Sequence, residues 1–392
     1  MRTVIKTLIV LALLGAVGAV TIVGLGLFNV SARAGHIPGV SWVLHTAYRQ
    51  SVKLRAPDAE QVPDLSDQDL VALGAGHFDS ACSFCHAAPD RIHSATADAM
   101  SPEPPHITDA VADWQPQHLF TIVKDGVKMS GMPYWPAENR EDEIWAMVAF
   151  LTHVREMEGA GFDALLASDA AGNDTALTYC ASCHGATGDS KGNGHIPRLD
   201  ILDEGYMQDA ITAYRTRARD SGFMAHAATQ LPPDDLTRVI RHYAASAPDG
   251  PTPTAPLPPA ELELMEQGAG VAAIGNIDAP SCASCHGPGL DQTKPGFPRI
   301  SGQPRPYLAQ QLKLWRDGTR GGGPRKELME KAARNLSDAE IDALNHRVDR
   351  CHSATHSRLQ ELVDLGFGGL EREVRRVVGE VQEERLVPVA LD

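Results

Sequence analysis

The chain has 392 residues, enough for two to four domains of ordinary size. Its net charge of −15 excludes a nucleic-acid-binding protein as a first hypothesis, because the chain has no excess of basic groups to neutralise phosphates. Only 5% of its residues are aromatic, so small domains would need another large apolar group to fill their cores.

The first predicted element is an uncharged apolar segment, residues 7–30. As a helix its 24 residues would span about 36 Å, enough to cross a hydrocarbon core of about 30 Å. The basic residues Arg2 and Lys6 precede it, which predicts that residues 1–6 stay in the cytoplasm. Ala32-Arg33-Ala34 resembles a signal-peptidase site, so a cleaved signal is the alternative, although such signals have shorter apolar runs of about 7–15 residues.

Both alternatives place everything after the apolar segment outside the cytoplasm. We therefore predict a single-pass protein of the bacterial inner membrane whose main domains lie in the periplasm. In the juxtamembrane segment 31–60, apolar residues recur on one helical stripe that includes Val40, Val43 and Leu44. This helix would lie along the membrane surface or pack on the first domain.

A motif of the form C-x-x-C-H occurs three times and contains six of the seven cysteines. Successive copies begin about 100 residues apart, at Cys82, Cys180 and Cys282, which indicates repetition of a whole small domain. The three copies are Cys82-Ser83-Phe84-Cys85-His86, Cys180-Ala181-Ser182-Cys183-His184 and Cys282-Ala283-Ser284-Cys285-His286.

This motif is typical of covalent haem c attachment. Two thiols separated by two residues can each form a thioether with one vinyl group of the same porphyrin, and the adjacent histidine then binds the iron. Zinc is the alternative, but zinc sites commonly pair two C-x-x-C units, whereas this chain has three units, each followed by histidine. We therefore predict three covalent haems, with His86, His184 and His286 as proximal iron ligands.

A second axial ligand is expected from the downstream part of each repeat. Met132, Met224 and Met329 each precede the last predicted helix of their repeat. Their offset from an apolar residue near the start of that helix is identical in the three repeats, where this residue is Ile144, Leu236 or Ile341. Those last helices are predicted at 142–154, 234–245 and 338–348 from their acidic starts and apolar spacing.

Other side chains compete for this role. Met129 is the rival in the first repeat, whereas Met147 and Met207 lie in helical stretches and are predicted to pack in cores. Histidine could replace methionine, but no histidine recurs at one offset in all three repeats. The histidine candidates are His93, His106, His195 and His226.

The second and third repeats share further residues. Pro197-Arg198 and Pro298-Arg299 follow their motif histidines, His184 and His286, at offsets that differ by a single position. Each proline could place its backbone carbonyl on the imidazole N–H, and each arginine could pair with a haem propionate or remain a solvated charge.

The remaining segments connect the repeats or follow them. Residues 248–259 form a proline-rich, semi-rigid linker. The tail, residues 351–392, carries no haem signal, and Cys351-His352 lacks a first cysteine, so Cys351 is predicted to be an incidental thiol.

The three repeats resemble class I cytochrome c domains. The whole resembles the membrane-bound triheme cytochrome c subunits of bacterial alcohol and aldehyde dehydrogenase complexes. The resemblance covers about residues 60–348 and depends on the three motifs together with Met132, Met224 and Met329. It implies a mainly α-helical protein with three tandem haem domains, at 61–158, 165–247 and 260–350, after one transmembrane helix.

The function that this resemblance implies is electron transfer. Electrons would come from a periplasmic dehydrogenase and pass to quinone or a terminal oxidase, and no side chain would break bonds. The alternative is a catalytic multihaem enzyme, peroxidase-like or sulfur-oxidising, which requires one haem with an open site. Three candidate methionine ligands argue against it.

Overall fold

The computed structural model describes residues 1–36, 38–128, 130–167, 174–246, 258–287 and 296–348. Met129, Cys351, the tail 351–392 and nearly all of the predicted linker lie outside these residues. The described part of the chain is mainly α-helical, as predicted. It contains two isolated β-bridges and no β-strand.

Half of the α-helices in the described residues precede the second motif. In chain order they are α1 (Arg2–Gly24), α2 (Val40–Arg55), α3 (Gln68–His77), α4 (Ser83–His86), α5 (Ala95–Asp98), α6 (Ile107–Ala112), α7 (Pro116–Asp125), α8 (Glu141–His153) and α9 (Gly159–Leu166). The others are α10 (Thr175–His184), α11 (Glu204–Arg215), α12 (Gly222–Gln230), α13 (Pro233–Ala245), α14 (Pro259–Ile274), α15 (Ala283–His286), α16 (Arg305–Arg316), α17 (Lys326–Ala333) and α18 (Asp338–Val348).

The chain separates into two compact units. The first contains residues 1–64, 78–135 and 151–162, and the second contains residues 65–77, 136–150 and the described residues from 163 onward. Thus α3 and most of α8, although they belong to the first repeat in sequence, group with the second and third repeats. The division into three haem domains stays a prediction.

The N-terminal helix α1 is long and apolar enough to cross a membrane, and none of its side chains is buried. A signal sequence would have the same properties. The helix ends at Gly24, six residues before the end of the predicted segment, where Leu25 and Gly26 (φ +65°) leave the helical conformation.

The juxtamembrane helix α2 is packed along only part of its length. Near its middle, the ring of Tyr48 lies 5.7 Å from that of Trp114, and the guanidinium of Arg49 lies 4.7 Å from the same indole ring. At its N-terminal end, Trp42 and Val43 are exposed. The middle of α2 is therefore packed within the first unit, whereas its N-terminal end is left available to a membrane surface.

In the second unit, two pairs of helices cross at a glycine, where no side chain separates the two backbones. A Cβ atom on Gly74 of α3 would overlap the carbonyl oxygen of Ala146 in α8. A Cβ on Gly268 of α14 would likewise overlap the carbonyl of Ala343 in α18. These contacts pack the last helix of a repeat across its first helix.

Two apolar clusters fill the second unit behind the second and third motifs. The cluster of the second repeat includes Met207, at 5% exposure, as predicted for a packing methionine. Met147, at 2% exposure, is also buried in this unit. The cluster of the third repeat is built around Trp315 and Leu344, with Met329 packed against it.

Candidate haem sites

Each of the three motifs ends a helix at its histidine. The residue after each histidine has a positive φ, +52° at Ala87, +78° at Gly185 and +88° at Gly287, so the chain turns away there. This reversal leaves the imidazole at the end of its helix, beside the two thiols of the same motif.

All three imidazoles share one hydrogen bond. Nδ1 lies 2.8 Å from the carbonyl oxygen of Pro105 for His86, 3.2 Å from that of Pro197 for His184, and 2.8 Å from that of Pro298 for His286. A carbonyl can only accept, so Nδ1 carries the hydrogen and Nε2 keeps a free lone pair. This is the tautomer that binds a metal through Nε2.

The proline of the first repeat was missed by the sequence analysis. Pro105-His106-Ile107 has the same proline–polar–aliphatic pattern as the other two prolines and their neighbours. However, Pro105 lies further along the chain from its histidine than Pro197 and Pro298 do from theirs. The pattern, searched without a fixed offset, could have found it.

Burial keeps the motif histidines neutral. It lowers the pKa of all three imidazoles, and the proline carbonyls only partly offset this effect. A neutral imidazole at physiological pH is ready to bind iron without first losing a proton.

Burial also holds the first thiol of each motif in the neutral form. The six motif cysteines form no disulfide. Burial, assisted by the neighbouring cysteine, raises the pKa of Cys82 and of Cys180 to about 12, and burial also raises the pKa of Cys282. Zinc binds thiolates, so this environment disfavours zinc and suits the neutral sulfur of a thioether.

The third motif opens into a cavity of about 440 Å³, within the range of about 300–1,000 Å³ typical of ligand pockets. Cys282, Cys285, His286 and Met329 all line it. The structure thus brings together every predicted ligand and tether of the third site around one space.

A polar group in this cavity supports a cofactor there. Asn345 lines the cavity and is only 3% exposed, yet within the described residues neither atom of its amide has a hydrogen-bond partner. Buried amides are normally paired, so the donor set and this orphaned amide together fit a haem with polar edge groups.

The predicted methionine ligands lie in three different local settings. Met132 is in a loop, where its N–H donates to Ser130 Oγ at 3.1 Å. Met224 is in the first turn of α12, and Met329 is within α17. Their common spacing in sequence therefore does not reflect a common local structure, and the assignment of all three stays a prediction.

The first repeat holds another methionine near Met132. A Cβ on Gly131 would overlap Cε of Met100, so the Met100 thioether lies against the residue next to Met132. The sequence analysis did not include Met100, which follows His86 much more closely than the three predicted ligands follow their histidines. The earlier rival, Met129, lies outside the described residues.

Two of the histidine candidates form hydrogen bonds with other groups. His106 uses both ring nitrogens, with Nδ1 2.9 Å from Thr108 Oγ1 and Nε2 3.0 Å from the Arg91 carbonyl. His195 Nε2 lies 2.8 Å from a carboxylate oxygen of Asp67. These contacts argue against both as iron ligands.

The other two candidates have ring contacts. His93 Nδ1 lies 3.5 Å from Asp98, and its ring is 5.8 Å from that of His106. His226 lies against His77 of α3, with ring centroids 5.5 Å apart.

The two arginines suggested by sequence as propionate partners have different surroundings. Arg198 is paired with the buried carboxylate of Asp200, so its charge is already compensated. Arg299 lines the cavity of the third site.

Two further arginines were missed by the sequence analysis. Arg219 and Arg320 are 5% and 7% exposed, and both line the same cavity. Both donate to Gln311 Oε1, at 3.0 and 2.6 Å, and among the described residues no carboxylate contacts either guanidinium. An isolated antiparallel bridge between Arg219 and Gly321 brings their segments together.

The two guanidiniums affect neighbouring pKa values. Burial and the charge of Arg219 lower the pKa of Arg320. Although burial alone would raise the pKa of Tyr206, the two guanidiniums lower it. Two buried cations without a carboxylate partner are costly unless a bound anion compensates them.

Two cytochrome family models match parts of the chain. The family model for cytochrome c oxidase, cbb3-type, subunit III matches residues 64–151, and the cytochrome c model matches residues 275–346.

Three curated relatives cover about half of this chain and most of their own length. The thiosulfate dehydrogenase electron acceptor of Thiomonas intermedia is 34% identical over 186 residues, 47% of this chain and 84% of that protein. The protein of the same name from Stutzerimonas stutzeri is 30% identical over 207 residues, 51% of this chain and 91% of that protein. Cytochrome c4 of Pseudomonas aeruginosa is 30% identical over 193 residues, 47% of this chain and 90% of that protein.

The fold and the sites define a helical haem protein with covalently bound haem c. The chain belongs to the c-type cytochromes and is an electron-transfer protein.

Proposed function

We propose that the chain carries three covalent haems, one per repeat, and acts as the electron-transfer subunit of a periplasmic oxidoreductase system. The observation that supports this most is the threefold arrangement of C-x-x-C-H with Nδ1 of each histidine on a proline carbonyl. When bound, haem c supplies a one-electron iron couple.

The side chains would hold, orient and tune these groups. The six motif cysteines form the tethers, His86, His184 and His286 are proximal ligands, and Met132, Met224 and Met329 are the proposed sixth ligands. A neutral thioether sulfur favours Fe(II) and raises the reduction potential relative to a second histidine. Arg219, Arg320 and Arg299 would compensate propionates at the third site.

The proposed electron donor is a periplasmic dehydrogenase. Two relatives are named as thiosulfate dehydrogenase electron acceptors, which favours a dehydrogenase of sulfur oxyanions over an alcohol or aldehyde dehydrogenase. The electrons would continue to quinone or a terminal oxidase. The rival function is catalysis at a haem with an open coordination site.

Haem content and spin state test the proposal. Intact-mass measurement of the exported protein should show three added haems, and the oxidised spectrum should show three low-spin irons. Replacing both Cys282 and Cys285 with alanine should remove one haem, whereas Cys351→Ser should remove none. Fewer than three haems in the unmodified protein, or a high-spin iron that binds carbon monoxide rapidly, would overturn it.

A further inference from the structure

The start of α8 contacts the start of α12 inside the second unit. Both oxygens of the Glu143 carboxylate take part: Ser221 Oγ donates to Oε1 at 2.5 Å, and the N–H of Gly222 donates to Oε2 at 2.6 Å. Glu143 is 4% exposed and Ser221 is 2% exposed, so water does not compete for these bonds.

These hydrogen bonds act on the turn that carries Met224. Ser221 is the N-cap of α12, and its Oγ accepts the N–H of Met224 at 3.1 Å. The first N–H groups of a helix have no partner within the helix, and a negative charge there is favourable. Glu143 thus fixes both the cap residue and the first helical residue, and through Ser221 it fixes the backbone of Met224.

A second set of contacts fixes Glu143 itself. Arg140 Nη1 lies 2.9 Å from Glu143 Oε1 and donates to the carbonyl of Asp220 at 2.9 Å. The N–H of Asn139 donates to the Asp220 carboxylate at 3.1 Å. The segment 139–143 therefore binds residues 220–222 at several points, so neither segment can shift alone.

We propose that Glu143 is a positioning residue for Met224, so that the last helix of the first repeat controls the sixth ligand of the second haem. This inference rests on the proposed function, because it takes Met224 as that ligand. It extends the function by making coordination in the second repeat depend on the first.

The sign of the change in potential separates positioning from a simple charge effect. Loosening a methionine ligand lowers the reduction potential of its iron. Removing the negative charge of Glu143, with Arg140 left in place, would instead raise it. The two explanations thus predict opposite shifts for Glu143→Gln.

The experiment uses the full-length holoprotein in detergent. Proton NMR follows the methionine methyl resonance of each reduced haem, and a redox titration gives the three potentials. Met224→Ala identifies the resonance and the potential that belong to the second haem. Glu143→Gln and Ser221→Ala are then compared with Glu138→Gln, a change at an exposed residue that precedes α8.

We expect Glu143→Gln and Ser221→Ala each to cause a twofold or greater loss of the Met224 resonance and to lower that haem's potential, while Glu138→Gln changes neither. If Glu143→Gln fails to fold, Ser221→Ala decides alone. An unchanged resonance in both variants, or a raised potential, overturns the inference. If Met224→Ala itself alters no resonance, the ligand assignment fails, and the inference fails with it.

Discussion

The three motif histidines show how a backbone group can orient an imidazole. Each Nδ1–H donates to the backbone carbonyl of a proline, a residue that has no backbone N–H. Proline restricts the local backbone, so the acceptor is held at a fixed place without depending on a side-chain rotamer. The backbone conformation at Pro105, Pro197 and Pro298 therefore sets the orientation of the three imidazoles.

A prediction at the residue scale concerns the effect of Arg320 on the reduction potential of the third haem. If Arg219 and Arg320 compensate a propionate, Arg320→Gln removes a positive charge that stabilises Fe(II). In general, a unit charge about 8–10 Å from a redox centre, at an effective dielectric constant of about 20, is worth roughly 2 kcal/mol, or on the order of 80 mV for one electron. The potential of the third haem should fall by about that amount in a redox titration.

The matched control is Arg215→Gln, which removes an equal charge from an exposed position at the end of α11. Solvent screening should reduce its effect to a small fraction of that of Arg320→Gln. Equal shifts in the two variants would show that the buried pair has no special relation to the cofactor.

At the scale of elements, the close crossing of α14 and α18 requires glycine at position 268. A Cβ on Gly268 would overlap the backbone carbonyl of Ala343, which cannot move without shifting α18. Overpacking of this kind costs about 1–3 kcal/mol. We expect Gly268→Ala to lower the melting temperature of the third repeat, followed by circular dichroism in its haem band.

Gly270, two residues further along the same helix, provides the control. No atom lies within 4 Å of the position of its Cβ. Alanine is a better helix former than glycine by about 1 kcal/mol, so Gly270→Ala should leave the melting temperature unchanged or raise it. If both variants were equally stable, the close crossing would be refuted.

Local signals predicted the elements well. The last helices, predicted at 142–154, 234–245 and 338–348, are observed at Glu141–His153, Pro233–Ala245 and Asp338–Val348. Their acidic first turns and apolar spacing are properties of neighbouring residues, so the sequence contains them directly.

Contacts between distant segments could not be predicted in this way. Glu143 meets Ser221 across 78 residues, and Arg219 meets Gln311 across 92. A glutamate in an acidic first turn, or an arginine among exposed basic residues, looks like a solvated charge in the sequence. Only the fold shows that these particular charges are buried and what they contact.

At the scale of the whole molecule, the sequence repeats and the compact units do not coincide. The second unit includes α3 and most of α8, which the sequence assigns to the first repeat. Together with the Glu143 contacts, this grouping would make the proposed second haem site depend on residues that lie well before its own motif in the sequence.

Membrane attachment gives the prediction for the whole chain. The 23 residues of α1 would span about 34 Å as a straight helix, enough for a hydrocarbon core of about 30 Å. If α1 is an uncleaved anchor, the mature protein should keep its N-terminus in an intact-mass measurement and stay in the membrane after an alkaline carbonate wash.

Ala34→Leu separates this anchor from a cleaved signal. A signal peptidase requires small residues at Ala32 and Ala34, so leucine at the second position would block cleavage. An uncleaved anchor predicts that the variant and the unmodified protein have the same N-terminus and the same membrane fraction. If the unmodified protein began after residue 34 and was released, while Ala34→Leu stayed in the membrane, α1 would be a signal peptide. The haem domains would then be soluble in the periplasm.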